Sequence, residues 1–295
     1  MTDFIHEAWH VLWHSLLETA KLLPFLYLSY LLMEFLEHRS GDASGRLLRG
    51  SGRVGPLAGA ALGVLPQCGF SAAASGLYAG RVITVGTLLA VYLSTSDEML
   101  PIMISNGVPI LFVVAVLALK VCIALLAGFA VDLFCLRRRR EEQPQIEEFC
   151  ERERCDCHDH FALSALKHTL HIAGFLFLVT LVLNATVELV GEETIKSCFT
   201  NRPLLSNLVS AVVGLIPNCA SSVVLTELQL SGVISVGSMM SGLLVNAGVG
   251  IPVLFRNNRP VKDSVRVLVI LFFVGLLSGL LVDLTPLGEI IGAMS

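Results

Sequence analysis

The sequence is poor in charged residues. Only 15% of its 295 residues are Asp, Glu, Lys or Arg, whereas 54% are hydrophobic. In soluble globular domains about a quarter of the residues are charged. A water-soluble globular protein is therefore excluded, and we expect the lipid bilayer to surround the chain.

Basic residues in particular are few, because 20 Lys and Arg residues face 24 Asp and Glu residues and leave a net charge of −4. The chain thus lacks the basic surplus of a nucleic-acid-binding protein. It also contains no Walker A motif, which argues against direct ATP drive. Its first 15 residues lack the basic start and short apolar core of a cleavable signal, so we expect the first helix to insert uncleaved.

A disulfide framework is also missing, although the chain has eight cysteines. Cys68, Cys122 and Cys219 fall within apolar segments, and three more crowd a polar segment together with histidines. This distribution differs from that of a secreted, disulfide-bonded domain.

Apolar stretches dominate the sequence. Those of about 20 residues, the length that crosses a bilayer, lie at 16–36, 84–104, 108–134, 166–187, 233–255 and 264–283. Two further apolar segments, 57–80 and 208–230, contain Pro66 and Pro217. We therefore predict an all-α integral membrane protein.

The chain contains an internal repeat. Residues 57–133 align without a gap with residues 208–284, which places Pro66 opposite Pro217, 151 positions later. The alignment pairs the segment GVLPQCGFS with GLIPNCASS, and the segment VITVG with VISVG. A match of this length indicates a duplication.

The charges of the short loops indicate that the two repeats have opposite orientations. Segment 37–53 contains four arginines, whereas its counterpart around 188–193 is acidic. Loop 105–108 is uncharged, whereas its counterpart at 256–262 is basic. Because basic loops stay in the cytoplasm, we predict inverted repeats, with the central linker in the cytoplasm and both termini outside.

Inversion requires an odd number of crossings between Arg53 and Ser105, yet two apolar segments lie there. Pro66 disfavours a continuous helix through the first of them. We therefore predict that 57–80 and 208–230 are re-entrant hairpins whose tips meet near the midplane, which gives five helical elements per repeat. Broken helices and inverted repeats are typical of secondary transporters.

Two carboxylates, Asp97 and Glu98, lie in an otherwise apolar stretch. A carboxylate at such a depth costs about 3 kcal/mol on insertion scales. We interpret the pair as part of a site that exchanges a proton for an ion. The alternative interpretation is that the two residues cap a helix broken after Ser94.

Polar residues at the predicted hairpin tips complete the candidate site. Cys68 and Cys219 each follow an amide side chain at a predicted break. Thiolate, carboxylate and amide ligands together suit metal ions that range from soft ions to manganese. The predicted transport site comprises Gln67, Cys68, Ser71, Thr95, Ser96, Asp97, Glu98, Asn218, Cys219, Ser222, Glu227 and Asn246. No resident cofactor is expected, because the metal ion is the cargo.

A second metal-like cluster lies in the linker at 136–165, between a first membrane repeat at 1–135 and a second at 166–295. Its candidate ligands are Cys150, Cys155, Cys157, His158 and His160. They suit an ion-capture loop, although a charged linker also serves as a solvated tether. Near the N terminus, one helical face would carry His6, His10, His14 and Glu18, either as metal ligands or as part of an interfacial helix.

The chain resembles the putative ten-helix heavy-metal exporter family in two segments, PQCGFSAAASGLYAGRVITVGTLLAVYLSTSDEMLPI and PNCASSVVLTEL. Members of that family are labelled manganese or arsenic efflux proteins, and the resemblance covers nearly the whole chain. A more distant likeness to arsenic permeases rests on the Pro-x-Cys hairpin, although this chain lacks their double-cysteine tip. The resemblance implies ten helices and efflux of a metal across a bacterial inner membrane.

These features predict a secondary transporter that exports manganese or another divalent metal ion from the cytoplasm. The alternatives are efflux of a metalloid, either arsenite or an organoarsenical, and a membrane-anchored metal sensor. An intramembrane enzyme is disfavoured, because neither Cys68 nor Cys219 has a histidine in its own apolar segment to act as a base. The expected partners are the ion and the bilayer, and a homo-oligomer is compatible with the pattern.

Overall fold

In the computed structural model the chain is built from helices. The structure describes residues 54–65, 68–96, 99–135, 161–190 and 203–292, together with several residues between 9 and 31. These described parts contain helices and no strand, which confirms the predicted all-α class. From residue 54 onward, the described part of the first repeat contains helices α1 Gly55–Gly63, α2 Cys68–Ala79, α3 Val85–Ser94, α4 Met99–Ser105 and α5 Ile110–Cys135.

The second half repeats this order of helices. It contains α6 Phe161–Val190, α7 Pro203–Gly214, α8 Cys219–Leu230, α9 Val236–Val245, α10 Gly250–Asn257, α11 Val261–Leu284 and α12 Pro286–Gly292. Helices α2, α3, α4 and α5 begin 151 positions before α8, α9, α10 and α11, respectively. The duplication that the sequence indicates therefore extends to the starts of these helices.

Among the described residues, three apolar helical segments are long enough to cross a membrane: Ile110–Phe134, Val236–Asn257 and Val261–Leu284. Most residues of Val236–Asn257 are buried inside the protein, whereas most residues of the other two segments are not. Leu126 and Phe134 of α5 are 72% and 82% exposed. An apolar surface of this kind is unfavourable in water, so α5 and α11 are suited to contact lipid.

The apolar stretch 84–104 is broken near its middle, although its length favours one continuous crossing. Helix α3 ends at Ser94, and α4 begins at Met99. The hydroxyls of Ser94 and Thr95 each donate to a backbone carbonyl oxygen in the preceding turn at 2.7 Å. Hydroxyl groups that bond locally in this way compete with the helix. The helix break after Ser94, which the alternative interpretation of Asp97 and Glu98 assumes, is therefore present.

The counterpart stretch, 233–255, is broken at the equivalent place. Asn246 follows the end of α9, and its Oδ1 accepts a hydrogen bond from the Gly248 backbone N–H at 2.9 Å. Gly248 itself has a φ of 52°, a left-handed conformation that glycine adopts at little cost. This local turn ends α9 before α10 begins.

Small residues let α1 pack closely against α3. Gly55, Gly59 and Gly63 occupy every fourth position of α1, and a Cβ atom added at any of them would lie 2.8 Å or less from an atom of α3. Helix α7 has Ser, Ser and Gly at the equivalent positions. Small residues with this spacing allow close helix packing in membranes. Helices α1 and α7 are thus each packed directly against the broken helix of their own repeat, α3 and α9 respectively.

An aspartate anchors the start of each broken helix. Asp132 of α5 accepts hydrogen bonds from the Gly86 backbone N–H at 2.9 Å and from the Thr84 hydroxyl at 2.7 Å. Its counterpart, Asp283 of α11, accepts from the Gly237 N–H at 3.0 Å and from Ser235, among others. A carboxylate at a helix N-terminus pairs with unsatisfied N–H groups and with the positive end of the helix dipole. The same contact therefore positions α3 and α9.

The contact between α3 and α5 leaves no room for a side chain at Gly86. A Cβ atom there would lie 2.2 Å from the Gly128 carbonyl oxygen, so Gly86→Ala forces the backbone to shift. We expect this change to destabilise the protein by about 1–3 kcal/mol, measured by thermal unfolding in detergent.

The control is Gly76→Ala in α2, where an added Cβ atom meets nothing within 4 Å. This change should be neutral or stabilising by up to about 1 kcal/mol, because alanine is the better helix former. Equal destabilisation by the two variants would contradict the described packing of α3 against α5.

Candidate functional site

Each repeat contains two helix breaks, and a side-chain hydrogen bond joins them. In the first repeat the Ser96 hydroxyl donates to the Val64 carbonyl oxygen at 2.6 Å, which links the segment after α3 to the end of α1. In the second repeat the Asn246 amide donates to Ser221 Oγ at 3.1 Å, which links the end of α9 to α8. Protein side chains thus hold the interrupted backbone, as is required at membrane depth.

The two repeats contact each other through exchanged partners. Helix α2 packs against α10, while α8, the counterpart of α2, packs against α4, the counterpart of α10. Helix α3 packs against its own counterpart α9. Reciprocal contacts of this kind occur between units related by a two-fold axis. They place the two broken helices, α3 and α9, side by side.

Asn218 and Cys219 form the start of α8. Asn218 caps this helix, because its Oδ1 accepts a hydrogen bond from the Ala220 backbone N–H at 3.1 Å. The two residues are 2% and 9% exposed. The Ser222 hydroxyl donates to the Cys219 carbonyl oxygen at 2.7 Å. Amide, thiol and hydroxyl groups are therefore buried together at this break.

A polar contact joins the two repeats where α10 begins. Ser75 Oγ of α2 lies 2.8 Å from the Gly250 carbonyl oxygen and 2.6 Å from the Tyr92 hydroxyl of α3. A Cβ atom on Gly250 would lie 2.9 Å from the Tyr92 ring and 3.0 Å from Ser71. The N-terminus of α10 is thus in close contact with both α2 and α3.

Lys120, in the middle of α5, is buried beside the ends of α3 and α9. It is 1% exposed, and its Nζ donates to the carbonyl oxygens of Thr95 and Leu243. Thr95 directly follows α3, and Leu243 lies in the last turn of α9. The sequence prediction omitted Lys120, although it is a single charge in the apolar run ILFVVAVLALKVC. The reasoning that selected Asp97, a charge within an apolar span, would also have selected Lys120.

An ion pair joins the repeats at the turn between α2 and α3. Arg81 Nη1 lies 3.2 Å from Asp263 Oδ2, at the start of α11. The same oxygen accepts hydrogen bonds from the Tyr78 hydroxyl at 2.7 Å and from the Asn258 amide at 3.0 Å. Arg81 also donates to the Arg259 carbonyl oxygen at 3.1 Å. This turn is therefore held against the loop between α10 and α11.

The structure buries much of the predicted site at or next to the breaks. The buried members are Ser71, Thr95, Ser96, Asn218, Cys219, Ser222 and Asn246. Cys68 is the first residue of α2. Glu227 is exposed in the third turn of α8, and it is not brought together with the buried members.

Several predicted residues lie outside the described part of the chain. They are Gln67, Asp97 and Glu98 at the breaks, the linker residues Cys150, Cys155, Cys157, His158 and His160, and the N-terminal residues His6, His10, His14 and Glu18. Within the described ranges, no group of three or more His, Cys, Asp or Glu side chains is arranged to hold a metal ion. The groups buried at the described breaks are hydroxyls, amides, a thiol, an amine and backbone carbonyls.

Asp263 accepts three side-chain hydrogen bonds, so its replacement removes a bond from each of three donors, two of which belong to fully buried residues. We expect Asp263→Leu to destabilise the protein by about 1–3 kcal/mol, measured by thermal unfolding in detergent. Lys262→Leu is the matched control, because Lys262 is exposed beside it and should leave the unfolding temperature nearly unchanged. If both variants behaved alike, the contact between Arg81 and Asp263 would not stabilise the fold.

The second half of the chain matches a known protein family. Residues 170–292 match the model of a family described as "Putative, 10TM heavy-metal exporter". The match extends from within α6 to the end of α12, and it confirms the family that the sequence resembles. It contains the motif PNCASSVVLTEL, whereas the first motif lies outside the matched residues. No curated protein and no solved structure matches the chain. The family match and the apolar helices together identify a multi-pass membrane protein.

Proposed function

We propose that the protein is a secondary-active transporter that exports a divalent metal ion, such as manganese, from the cytoplasm across a bacterial inner membrane. The observation that carries this proposal is the pair of broken helices, α3 with α4 and α9 with α10, which interrupt the chain at equivalent positions and pack side by side. Discontinuous helices of this kind form the substrate site in many secondary transporters. The heavy-metal exporter description of the matching family supports the same function.

Contacts of α1 support the prediction of re-entrant hairpins. Gly55 at the start of α1 faces Thr87 near the start of α3, and Gly63 at the end of α1 faces Ser94 at the end of α3. Helix α1 therefore runs in the same direction as α3. Helix α2 ends at Ala79, just before the turn that leads into α3. Both ends of the segment α1–α2 thus lie at the level of the start of α3, as in a hairpin that enters and leaves on one side.

The contact between Arg81 and Asp263 supports inversion of the repeats. In repeats of the same orientation, the turn before α3 and the loop after α10 would lie on opposite sides of the membrane. Here Arg81 of that turn is paired with Asp263 and with the Arg259 carbonyl oxygen of that loop. Basic residues cluster at this end, as expected for the cytoplasmic side.

In this proposal the cation binds where α3 and α9 end. Hydroxyl, amide and carbonyl oxygens are buried there, and such oxygen ligands suit manganese and other hard cations. Asp97 and Glu98 directly follow Ser96, and they would supply carboxylate ligands and exchange a proton for the ion. Transport by inverted repeats then alternates access to this one site.

Ion uptake into inverted membrane vesicles that contain the purified protein tests this function. We expect wild-type vesicles to accumulate manganese, and we expect Asp97→Asn to reduce the initial rate by about tenfold or more because it removes the carboxylate charge. Asp97→Glu keeps the charge and should retain part of the activity. Zinc, cadmium, arsenite and an organoarsenical are compared in the same vesicles.

The outcome separates the alternatives. Accumulation of arsenite or the organoarsenical without manganese would assign the protein to metalloid efflux. If no ion accumulates, the transporter proposal is wrong. A metal-dependent phenotype that survives Asp97→Asn but is lost when residues 136–165 are deleted would then assign the protein as a membrane-anchored metal sensor.

A further inference from the structure

Lys120 joins the two broken helices from a third helix. Its Nζ donates to the Thr95 carbonyl oxygen at the end of α3, and to the Leu243 carbonyl oxygen in the last turn of α9 at 3.2 Å. One bond is therefore made within the first repeat and the other with the second repeat. The side chain is 1% exposed.

Both acceptors are of the kind that binds cations. Carbonyl groups in the last turn of a helix have no partner within the helix, and they carry the negative end of the helix dipole. Two such ends, from α3 and α9, converge on one amine. The equivalent position of the second repeat is occupied by Leu271, which is fully buried, so the duplication does not require a lysine here.

We propose that Lys120, as its ammonium ion, is a tethered cation that occupies the carbonyl ends of α3 and α9 whenever the transported metal ion is absent. This inference rests on the proposed transport function. A divalent cation would seek the same carbonyl oxygens. Because two positive charges a few ångströms apart repel strongly in a medium of low dielectric constant, the ammonium and the metal ion would occupy these oxygens in turn.

The proposal gives Lys120 a role in one part of the transport cycle. When the metal leaves, the ammonium neutralises both helix ends and joins the repeats, so the empty protein can return to face the cytoplasm. Without this charge, the empty state loses a stabilising contact and becomes rare. In exchange of one metal ion for another, the protein changes access only while it is loaded with metal. The empty protein never has to change access, so exchange does not need Lys120 for that step.

Reconstituted liposomes distinguish these two modes with radioactive manganese as the probe. Net transport is measured into empty liposomes, and exchange is measured into liposomes preloaded with unlabelled manganese. We expect Lys120→Met to slow net transport by about tenfold or more, while exchange stays within about threefold of the wild-type rate. Leu271→Met, at the equivalent position of the second repeat, is the control and should leave both rates near those of the wild type.

Lys120→Gln separates charge from hydrogen bonding, because its amide still donates to carbonyl oxygens but carries no charge. Lys120→Gln should behave like Lys120→Met. If Lys120→Met does not elute like the wild type in size-exclusion chromatography, Lys120→Gln is used in its place. The inference is wrong if net transport by Lys120→Gln equals that of the wild type, or if a well-folded variant loses exchange and net transport equally. If the wild-type protein shows neither activity, the proposed manganese transport fails, and this inference fails with it.

Discussion

The structure depends on the constraint that backbone polar groups at membrane depth must find partners within the protein. Helices α3 and α9 both end in the buried interior, where each interruption frees carbonyl and N–H groups. Ser96 and Asn246 bond across to the neighbouring break in their own repeats, and Lys120 bonds to the ends of both helices. Interrupted helices are therefore tolerated only because other parts of the chain are brought against them, and these contacts decide which helices must pack at the centre.

The duplication preserves the framework around these breaks but not their chemistry. Gly86 and Gly237 admit Asp132 and Asp283 in the same way, so each broken helix begins with the same anchor. Some buried residues at equivalent positions of the two repeats differ. Lys120 of the first repeat, for example, corresponds to Leu271 of the second. Pairing of unlike residues across a pseudo-symmetric centre allows one site to be built from two similar halves. The anchors set the positions of the helices, and the unlike residues give the two helix breaks different chemistry.

The breaks after Gly63 and Gly214 could be predicted because their cause is local. Pro66 and Pro217 disfavour helix at the preceding residue whatever surrounds them, and an offset of 151 positions is visible in the sequence itself. The break after Ser94 was harder to predict. Apolar residues on both sides keep the hydropathy of 84–104 high, while the hydroxyl bonds of Ser94 and Thr95 interrupt the helix. Hydropathy measures only the preference for lipid, and it carries no information on the continuity of the backbone.

The role of Lys120 could not be read from its neighbours, because its acceptors belong to residues 95 and 243. A sequence argument can state that a charge in an apolar span needs a partner, but the partner comes from tertiary structure. The reverse holds for Glu227, whose carboxylate suggested a ligand although α8 leaves it exposed. In both cases the residue type was informative, and only the packing of the helices decided its surroundings.

The contacts within and between the repeats differ in a way that bears on movement. Helix α1 is packed against α3 through Gly55, Gly59 and Gly63, where atoms are already in van der Waals contact. Sliding these helices past each other would cause steric overlap, so α1 should move together with α3. Some pairs that join the repeats, such as Arg81 with Asp263, are polar and can exchange partners with water or with a bound ion. The repeats are also joined by close packing, because a Cβ atom on Gly250 of α10 would lie 2.9 Å from the Tyr92 ring of α3. In the proposed transport cycle, relative motion of the two repeats would therefore exchange these polar pairs and rearrange the contact of α10 with α2 and α3, while α1 and α3 stay together as one unit.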